Sequence, residues 1–464
     1  MFKSISIFFL FLLIIKMVNN MERIERKLYD HFSNDSSFIK YQININNNHL
    51  ATIYYFEGLV DLERIGEIII KKYEQNQKLF LFPNVKEEIE INEVINKVID
   101  ANVIVFDYND NKIYSLELRR LYLRSVSEPD NEKIIKGPRE GLIENIITNV
   151  SLIRNKIRRK DLKIEYTSLN TNSEYKIGIL YLKKNVNIKS LRILKQRLNK
   201  IKKVKGIDVN FIKEQIKDNK YTPFNTIGDT QRPDVCAFEL LKGKIVLLID
   251  GSPTAIYLPY LFNESFQTVD DYYTNMYYAS INRFFRFVSF LITILLPGIY
   301  VSLLMYHQEL LPMKLVLSIA ASRQGVPFPV FFECLLLLLA FEVLREAGTK
   351  TSGLLGTSLS IVGALIIGQA AVEARIISTS VVIVIAFTSV TSLINPKTAG
   401  AEIIFRFLFL LLGTLLGLYG LLCGVLFFII YIIKMKSFGV SYVNNVASFR
   451  LKDYKQTYVR LPDE

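Results

Sequence analysis

The chain has 464 residues, and 57 Lys and Arg against 44 Asp and Glu give it a net charge of +13. That charge comes with no aromatic-interleaved basic patch and no zinc-type spacing, so it suits a domain facing an anionic membrane surface, and nucleic acid is set aside as a partner. The three cysteines, Cys236, Cys334 and Cys423, lie too far apart for a disulfide framework, and three histidines are too few for a His-rich metal centre. The cysteines read as buried, inert thiols in a reducing compartment.

The two halves of the chain belong to different classes. Residues 21–282 are dense in Lys, Glu, Asp and Asn, whereas residues 284–433 hold long apolar runs with few charges. The expected architecture is a soluble α/β N-terminal region followed by an α-helical polytopic membrane domain. Ahead of both, Ser4 to Ile15 is apolar and flanked by Lys3 and Lys16. It is short for a bilayer span and lacks a small-residue cleavage site, so residues 1–20 read as a signal-like extension, an extra anchor or a start-site artefact before Met21.

Residues 21–125 are expected to form a first α/β subdomain and residues 126–282 a second. Apolar β-branched runs at 50–60, 102–108, 162–166, 176–183 and 244–250 predict strands. Amphipathic stretches at 63–73, 85–99, 141–158 and 188–203 predict helices, with a short one at 233–241.

Two clusters stand out in the second subdomain. The first contains Glu128-Pro129-Asp130 and Glu132, then Lys136-Gly137-Pro138-Arg139-Glu140-Gly141. Gly137-Pro138 ends one segment and seeds a helix, since proline fits the first helical turn. Arg139 and Glu140 can then cap, pair or contact a partner. The second cluster is Arg232-Pro233-Asp234 with Asp250-Gly251-Ser252-Pro253, where a buried strand ends in a tight turn. Glu128, Pro129, Gly137, Pro138, Arg139, Glu140, Arg232, Asp234 and Asp250 are coupling or interface candidates. No phosphate-binding loop is present, and no acid, base or nucleophile stands at a motif spacing, so the chain reads as neither an enzyme nor a cofactor binder.

Five apolar runs follow, at 284–304, 328–344, 354–372, 376–394 and 403–433. The run at 328–344 contains Glu333 and Glu342, and it is expected as an interfacial or re-entrant helix, leaving four spans. The basic tail, residues 434–464, favours the cytoplasm, and if the N-terminal region is cytoplasmic too the spans must be even in number. The last run would reach about 46 Å as one helix, so it must tilt or project beyond the hydrocarbon. Its Gly413, Gly417, Gly420 and Gly424 line one face, for packing within the chain or between subunits. Thr388, Thr391, Ser392, Gln369 and Glu373 are ion-path candidates.

With further segments, these clusters make the chain resemble the A subunit of GerA-type spore germinant receptors over roughly residues 100 to 440. The further segments are Asp271-Tyr272-Tyr273, Ala321-Ser322-Arg323-Gln324-Gly325-Val326-Pro327-Phe328-Pro329, Leu344-Arg345-Glu346-Ala347-Gly348 and Gly368-Gln369-Ala370-Ala371-Val372-Glu373-Ala374. Departures include Lys136, Leu142 and Gln324, and Arg375 where the family usually has glycine. The resemblance implies a multi-pass subunit in the spore inner membrane, with its large N-terminal region cytoplasmic. It implies work alongside a transporter-like B subunit, the expected nutrient binder, and a lipoprotein C subunit. Nutrient sensing would be coupled to ion release through a homo-oligomeric, ligand-gated ion-conducting assembly. A non-conducting membrane scaffold and a secondary transporter are the alternatives.

Overall fold

The computed structural model describes residues 21–45, 48–75, 85–87, 90–118, 132, 134, 137–169, 175–201, 209–350, 363 and 366–443. The extension at 1–20, Glu128 and Pro129, much of the run at 354–372 and the tail from 444 lie outside the described residues. The chain divides into two compact units, Met1–Asp218 with Ile227–Pro259, and Asn219–Thr226 with Tyr260–Glu464. The boundary expected near residue 282 therefore falls at Pro259, because Phe262 and Phe266 pack into the core of the helical unit. Phe224 packs into that same core, so residues 219–226 belong to the helical unit as well.

The first unit opens with helix α1 (residues 21–32), whose Met21, Ile24, Leu28 and Phe32 are buried at helical spacing. Strands β1 (Phe38–Ile45), β2 (Asn48–Phe56), β3 (Val85–Glu87), β4 (Val103–Asp107) and β5 (Lys112–Leu116) form one sheet in the order β1-β2-β4-β5-β3. Helix α2 joins Leu62–Ile65, a π-helical turn Gly66–Ile70 and Lys71–Glu74, and α3 spans Ile91–Ile99. Alternation along the strands sends Tyr54, Phe56, Ile104 and Phe106 toward α1 and α3. Ala51, Ile53, Val103 and Val105 go to the opposite face, toward α2. The helix expected over 85–99 is shorter than its pattern, because Val85–Glu87 pairs with the edge of β5 instead.

A second sheet gathers β6 (Leu162–Leu169), β7 (Tyr175–Leu182), β8 (Gly228–Thr230), β9 (Ile245–Ile249) and β10 (Ala255–Leu258) in the order β6-β7-β9-β10-β8. Around it lie α4 (Ile146–Lys156), α5 (Ile188–Lys200), α6 (Val209–Ile216) and α7 (Pro233–Leu241). Asn145 and Asn187 cap α4 and α5 by accepting from backbone amides of the first turn. Alternating strands and helices usually signal parallel crossovers, yet every described pairing in both sheets is antiparallel.

The helical unit contains α8 (Met276–Tyr306), α9 (Met313–Ser322), α10 (Val330–Lys350), α11 (residues 366–373), α12 (Thr379–Ser392) and α13 (Ala399–Lys434). A small hairpin of β11 (Lys436–Ser437) and β12 (Val440–Ser441) follows. By length and composition two segments, Met276–Tyr306 and Pro396–Lys434, are long and apolar enough to cross a bilayer, the second of them with a reversal inside it.

The single tilted helix expected over 403–433 is not what forms. Gly417 has φ +62° and ψ −149°, a conformation that only glycine adopts at little cost. The Phe405 and Phe428 ring centroids are 4.8 Å apart, whereas in a straight helix those residues would stand about 35 Å apart. α13 is thus a helical hairpin, with arms at residues 399–416 and 418–434 each about 26 Å long. Gly420 and Gly424 lie against Leu412 and Phe409 of the opposite arm, and a side chain at Gly413 would meet the Gly298 carbonyl oxygen of α8 at 2.5 Å. These glycines are buried within one chain.

α10 is a continuous helix of 21 residues. Outward-facing side chains of the unit include Phe284, Phe285, Leu336, Leu339, Ile383, Phe387, Leu415, Leu422 and Leu426, while Thr293, Ser302, Glu333, Glu402 and Arg406 are buried. The helical unit is apolar outside and partly polar inside.

Candidate functional site

The structure brings the two clusters of the second subdomain together around the N-terminus of α4. Arg232 is fully buried and forms a fork on Asp234, with Nε donating to Oδ1 at 3.0 Å and Nη2 to Oδ2 at 2.8 Å. Nη2 also donates to the Pro138 carbonyl at 2.7 Å, which holds the Gly137–Gly141 segment in place. The Leu142 amide donates to the Gln231 carbonyl at 2.7 Å. Glu132 accepts from the Thr230 hydroxyl at 2.6 Å and the Gln231 amide at 2.9 Å. Asp250 accepts from the Ile146 amide at 3.2 Å, where a carboxylate also meets the positive end of the α4 dipole. The Gly251 amide returns a bond to the Glu144 carbonyl at 2.8 Å.

Each predicted coupling residue within the described part has a place in this junction or at its rim. Glu140 reaches Lys156 in the last turn of α4 at 2.7 Å, and Arg139 is exposed. Asp250 serves a helix terminus, and the arrangement is that of a joint between chain segments. The Cys236 thiol, buried in α7, is pushed well above its usual range by that burial and by the nearby carboxylates. Cys334 is buried too, but Cys423 is exposed on the second arm of α13, contrary to the expectation of three buried thiols.

Residue patterns did not disclose the joint between the two sheets. Arg154 of α4 is 2% exposed and pairs with Asp35 at 2.6 Å across 119 residues of sequence. Asp35 also accepts from the Ser37 hydroxyl at 2.7 Å and the Ser37 amide at 3.0 Å. The guanidinium carbon lies 3.7 Å above the Phe56 ring centroid, a cation–π contact in a desolvated place. Beside it the Ser36 amide donates to the Ile164 carbonyl at 2.8 Å, and Lys163 donates to the His31 carbonyl at 2.8 Å. A buried arginine in Leu152-Ile153-Arg154 was the available signal, but its partner lies far away in the sequence.

In the helical unit, Asp271 receives Arg283 at 3.0 Å and Arg286 at 2.9 Å, fixing the start of α8. Farther along, Glu333 of α10 accepts from the Ser378 amide at 2.8 Å and pairs with Arg323 at 3.3 Å. Glu342 pairs with Arg406 of α13 and lies 3.7 Å from Arg345. The two glutamates that made the 328–344 run look weak are therefore both partnered inside the unit.

The ion-path candidates do not converge in a single chain. Thr388, Thr391 and Ser392 are buried, and their hydroxyls donate to carbonyls of their own helix. Thr391 also accepts from Thr293 of α8 at 3.0 Å, so this face of α12 is turned toward α8. Gln369 and Glu373 are exposed on α11 and bond to each other at 2.9 Å.

The family described as Bacillus/Clostridium GerA spore germination protein matches residues 22–464, and the chain belongs to that family. Spore germination protein KA of Bacillus subtilis (strain 168) is 34% identical over 429 residues, covering 89% of this chain and 79% of that protein. Spore germination protein GerLA of Bacillus cereus is 32% identical over 428 residues, covering 89% and 87%. Spore germination protein A1 of Bacillus subtilis is 31% identical over 462 residues, covering 95% and 96%. A crystal structure of the N-terminal domain of the A subunit of the Bacillus megaterium spore germinant receptor GerK3 matches 51% of this chain and 93% of that one, at 24% identity and a TM-score of 0.38. This is the family of germinant receptor A subunits that the sequence clusters resemble.

Proposed function

We propose that the chain is the membrane-embedded A subunit of a nutrient germinant receptor, coupling nutrient sensing to ion release as a ligand-gated, ion-conducting oligomer. Its large N-terminal unit would lie on the cytoplasmic side of the spore inner membrane. A transporter-like B subunit, which binds the nutrient, and a lipoprotein C subunit would complete the receptor. The single observation that carries the membrane role is the inverted polarity of the helical unit, with large apolar side chains outward and the charged groups of Glu333, Glu402 and Arg406 inward. A hydrocarbon solvent makes both halves of that pattern favourable.

The hydroxyls of α12 are already engaged by α8 and their own backbone, so a conducting path would run between copies of the chain. The polar stripe available for it is Gln369 and Glu373 on α11. Glu373→Gln should then lower cation flux through the purified protein in vesicles. Flux unchanged by that substitution would remove α11 from the path. In spores lacking the gene, nutrients should fail to trigger loss of refractility while a receptor-independent trigger still works. Normal nutrient responses in a strain without paralogues would contradict the receptor role.

A non-conducting scaffold is the second reading, favoured by the engagement of Thr388, Thr391 and Ser392 inside one chain. The vesicle measurement separates the two, since a scaffold gives no flux.

A further inference from the structure

One end of the helical unit carries a cavity of about 520 Å³ between the α9–α10 connection and the α11–α12 connection. Ser322, Gln324 and Arg375 supply its polar lining, and Val326, Val372 and Ile377 its apolar lining. The volume lies within the range of small-molecule sites, and so does the mixture of apolar wall and few polar groups.

Arg375 holds an unusual position. Its backbone is left-handed, with φ +54°, a conformation disfavoured for a residue bearing a side chain. The bend is secured by the Arg375 amide on the Val372 carbonyl at 3.0 Å and the Ile376 amide on the Ala371 carbonyl at 2.9 Å. Opposite, Gly325 has φ +88°, and a Cβ there would lie 3.3 Å from Arg375 Cδ and 3.2 Å from Nη1. A side chain at Gly325 would press on the Arg375 side chain, so glycine there leaves the arginine its room at the cavity.

The charges around the cavity are unequally matched. Arg323 is committed to the buried Glu333, whose other oxygen is taken by the Ser378 amide. Glu373, two residues from Arg375, is held by Gln369. Among the described residues Arg375 has no carboxylate partner. From the interior, a chain of hydroxyls runs from Tyr300 to Ser380 at 2.9 Å and on to Ser322 at 3.2 Å.

We propose that this cavity binds a small oxyanion, a carboxylate or phosphate group, with the Arg375 guanidinium as its fork and Gln324 and Ser322 as neutral partners. Arginine suits such groups because its planar donors match two oxygens at once. Val326, Val372 and Ile377 take the apolar portion of the ligand. The group can belong to a soluble anion or to a lipid headgroup. The site does not depend on ion conduction, and the test reads binding directly, so its failure leaves the receptor reading untouched.

The full chain in nanodiscs of phosphatidylcholine is titrated with inorganic phosphate and with acetate, reading the thermal unfolding midpoint. In parallel, lipid retained by the chain from phosphatidylcholine–phosphatidylglycerol mixtures is measured by native mass spectrometry. A saturable rise with a free anion, weakened at least tenfold in Arg375→Ala and less in Arg375→Lys, supports a soluble ligand. Retention of phosphatidylglycerol that is lost in Arg375→Ala, without a free-anion response, supports a headgroup. Arg192→Ala, a change at an exposed arginine of the first unit, should leave both readouts as in the parent. The proposal is overturned if no probe binds, or if Arg375→Ala binds like the parent. Should Arg375→Ala alter the far-ultraviolet dichroism, Gln324→Ala takes its place, with a several-fold weakening expected and unchanged binding overturning the proposal.

Discussion

The two units hold ion pairs in opposite surroundings. In the first, Arg154–Asp35 and Arg232–Asp234 sit in an apolar interior enclosed by a charged surface. In the helical unit, Glu333–Arg323 and Glu342–Arg406 each join a buried side chain to a partly exposed one, in a body whose exterior is itself apolar. A charge that loses its partner in the first unit can reach water by a small local opening. In the proposed membrane setting the nearest exterior of the helical unit would be no better a solvent than the interior, so partners would have to be supplied from within. The second arginine beside Glu342 and the second donor on Glu333 fit that requirement.

The largest expected effect breaks the comparison at its clearest pair. Arg154→Ala leaves Asp35 buried without its cation and should cost about 3–5 kcal/mol. Hydrogen exchange on the full chain should report it as faster opening of β1 and β6. The equivalent change at Arg406 should cost less, because Arg345 remains near Glu342.

Next comes the hairpin. Cysteines at 405 and 428 should be joined by a short bifunctional thiol reagent in a Cys423→Ser background, which a straight helix would forbid. Gly417→Ala should destabilise the turn by about 1–3 kcal/mol, since alanine resists its dihedral angles, and the loss would appear as a lower thermal midpoint.

A smaller effect concerns pH in the first unit. Burial alone would raise the Glu239 carboxyl, but Lys244 and Lys242 outweigh it and bring it down to about 2. Because the folded value is depressed, its stabilisation is complete above the ordinary glutamate value near 4.5 and is lost as pH falls toward 2. Glu239→Gln should flatten the acid limb of a stability–pH curve in that window. The smallest effect is Asn145→Ala, which removes the α4 cap and should cost about 1 kcal/mol in the unfolding midpoint.

Much of the first unit was legible because its signals are local. Pro233 marked the start of α7, and the β-branched runs marked β2, β4, β7 and β9. β1, β3, β5, β8 and β10 went unseen, β1 because Gln42, Asn44 and Lys40 dilute its apolar residues, and β3, β8 and β10 because they are only three or four residues long. In the helical unit hydropathy located the apolar segments but did not reveal the fold of α13. A run of apolar residues carries no mark of a reversed chain, and Gly417 looks like its neighbouring glycines until its φ is known. The candidate site divided in the same way. The Gly137–Gly141 and Arg232–Asp234 motifs stood out by composition, whereas their meeting depends on the Arg232 to Pro138 bond between distant segments.

Phe224 poses a problem of timing during synthesis. It leaves the ribosome among residues of the first unit, yet its ring partners Phe405 and Phe428 follow about 180–200 residues later. At translation speeds of 5–20 residues per second that interval is on the order of 10–40 s. For that time residues 219–226 hang as an unfilled loop from a unit that can otherwise complete its sheets. The nascent chain therefore waits for its last helices before this segment can settle, and a ribosome stalled after α12 would leave the Phe224 ring of this loop open to chaperones.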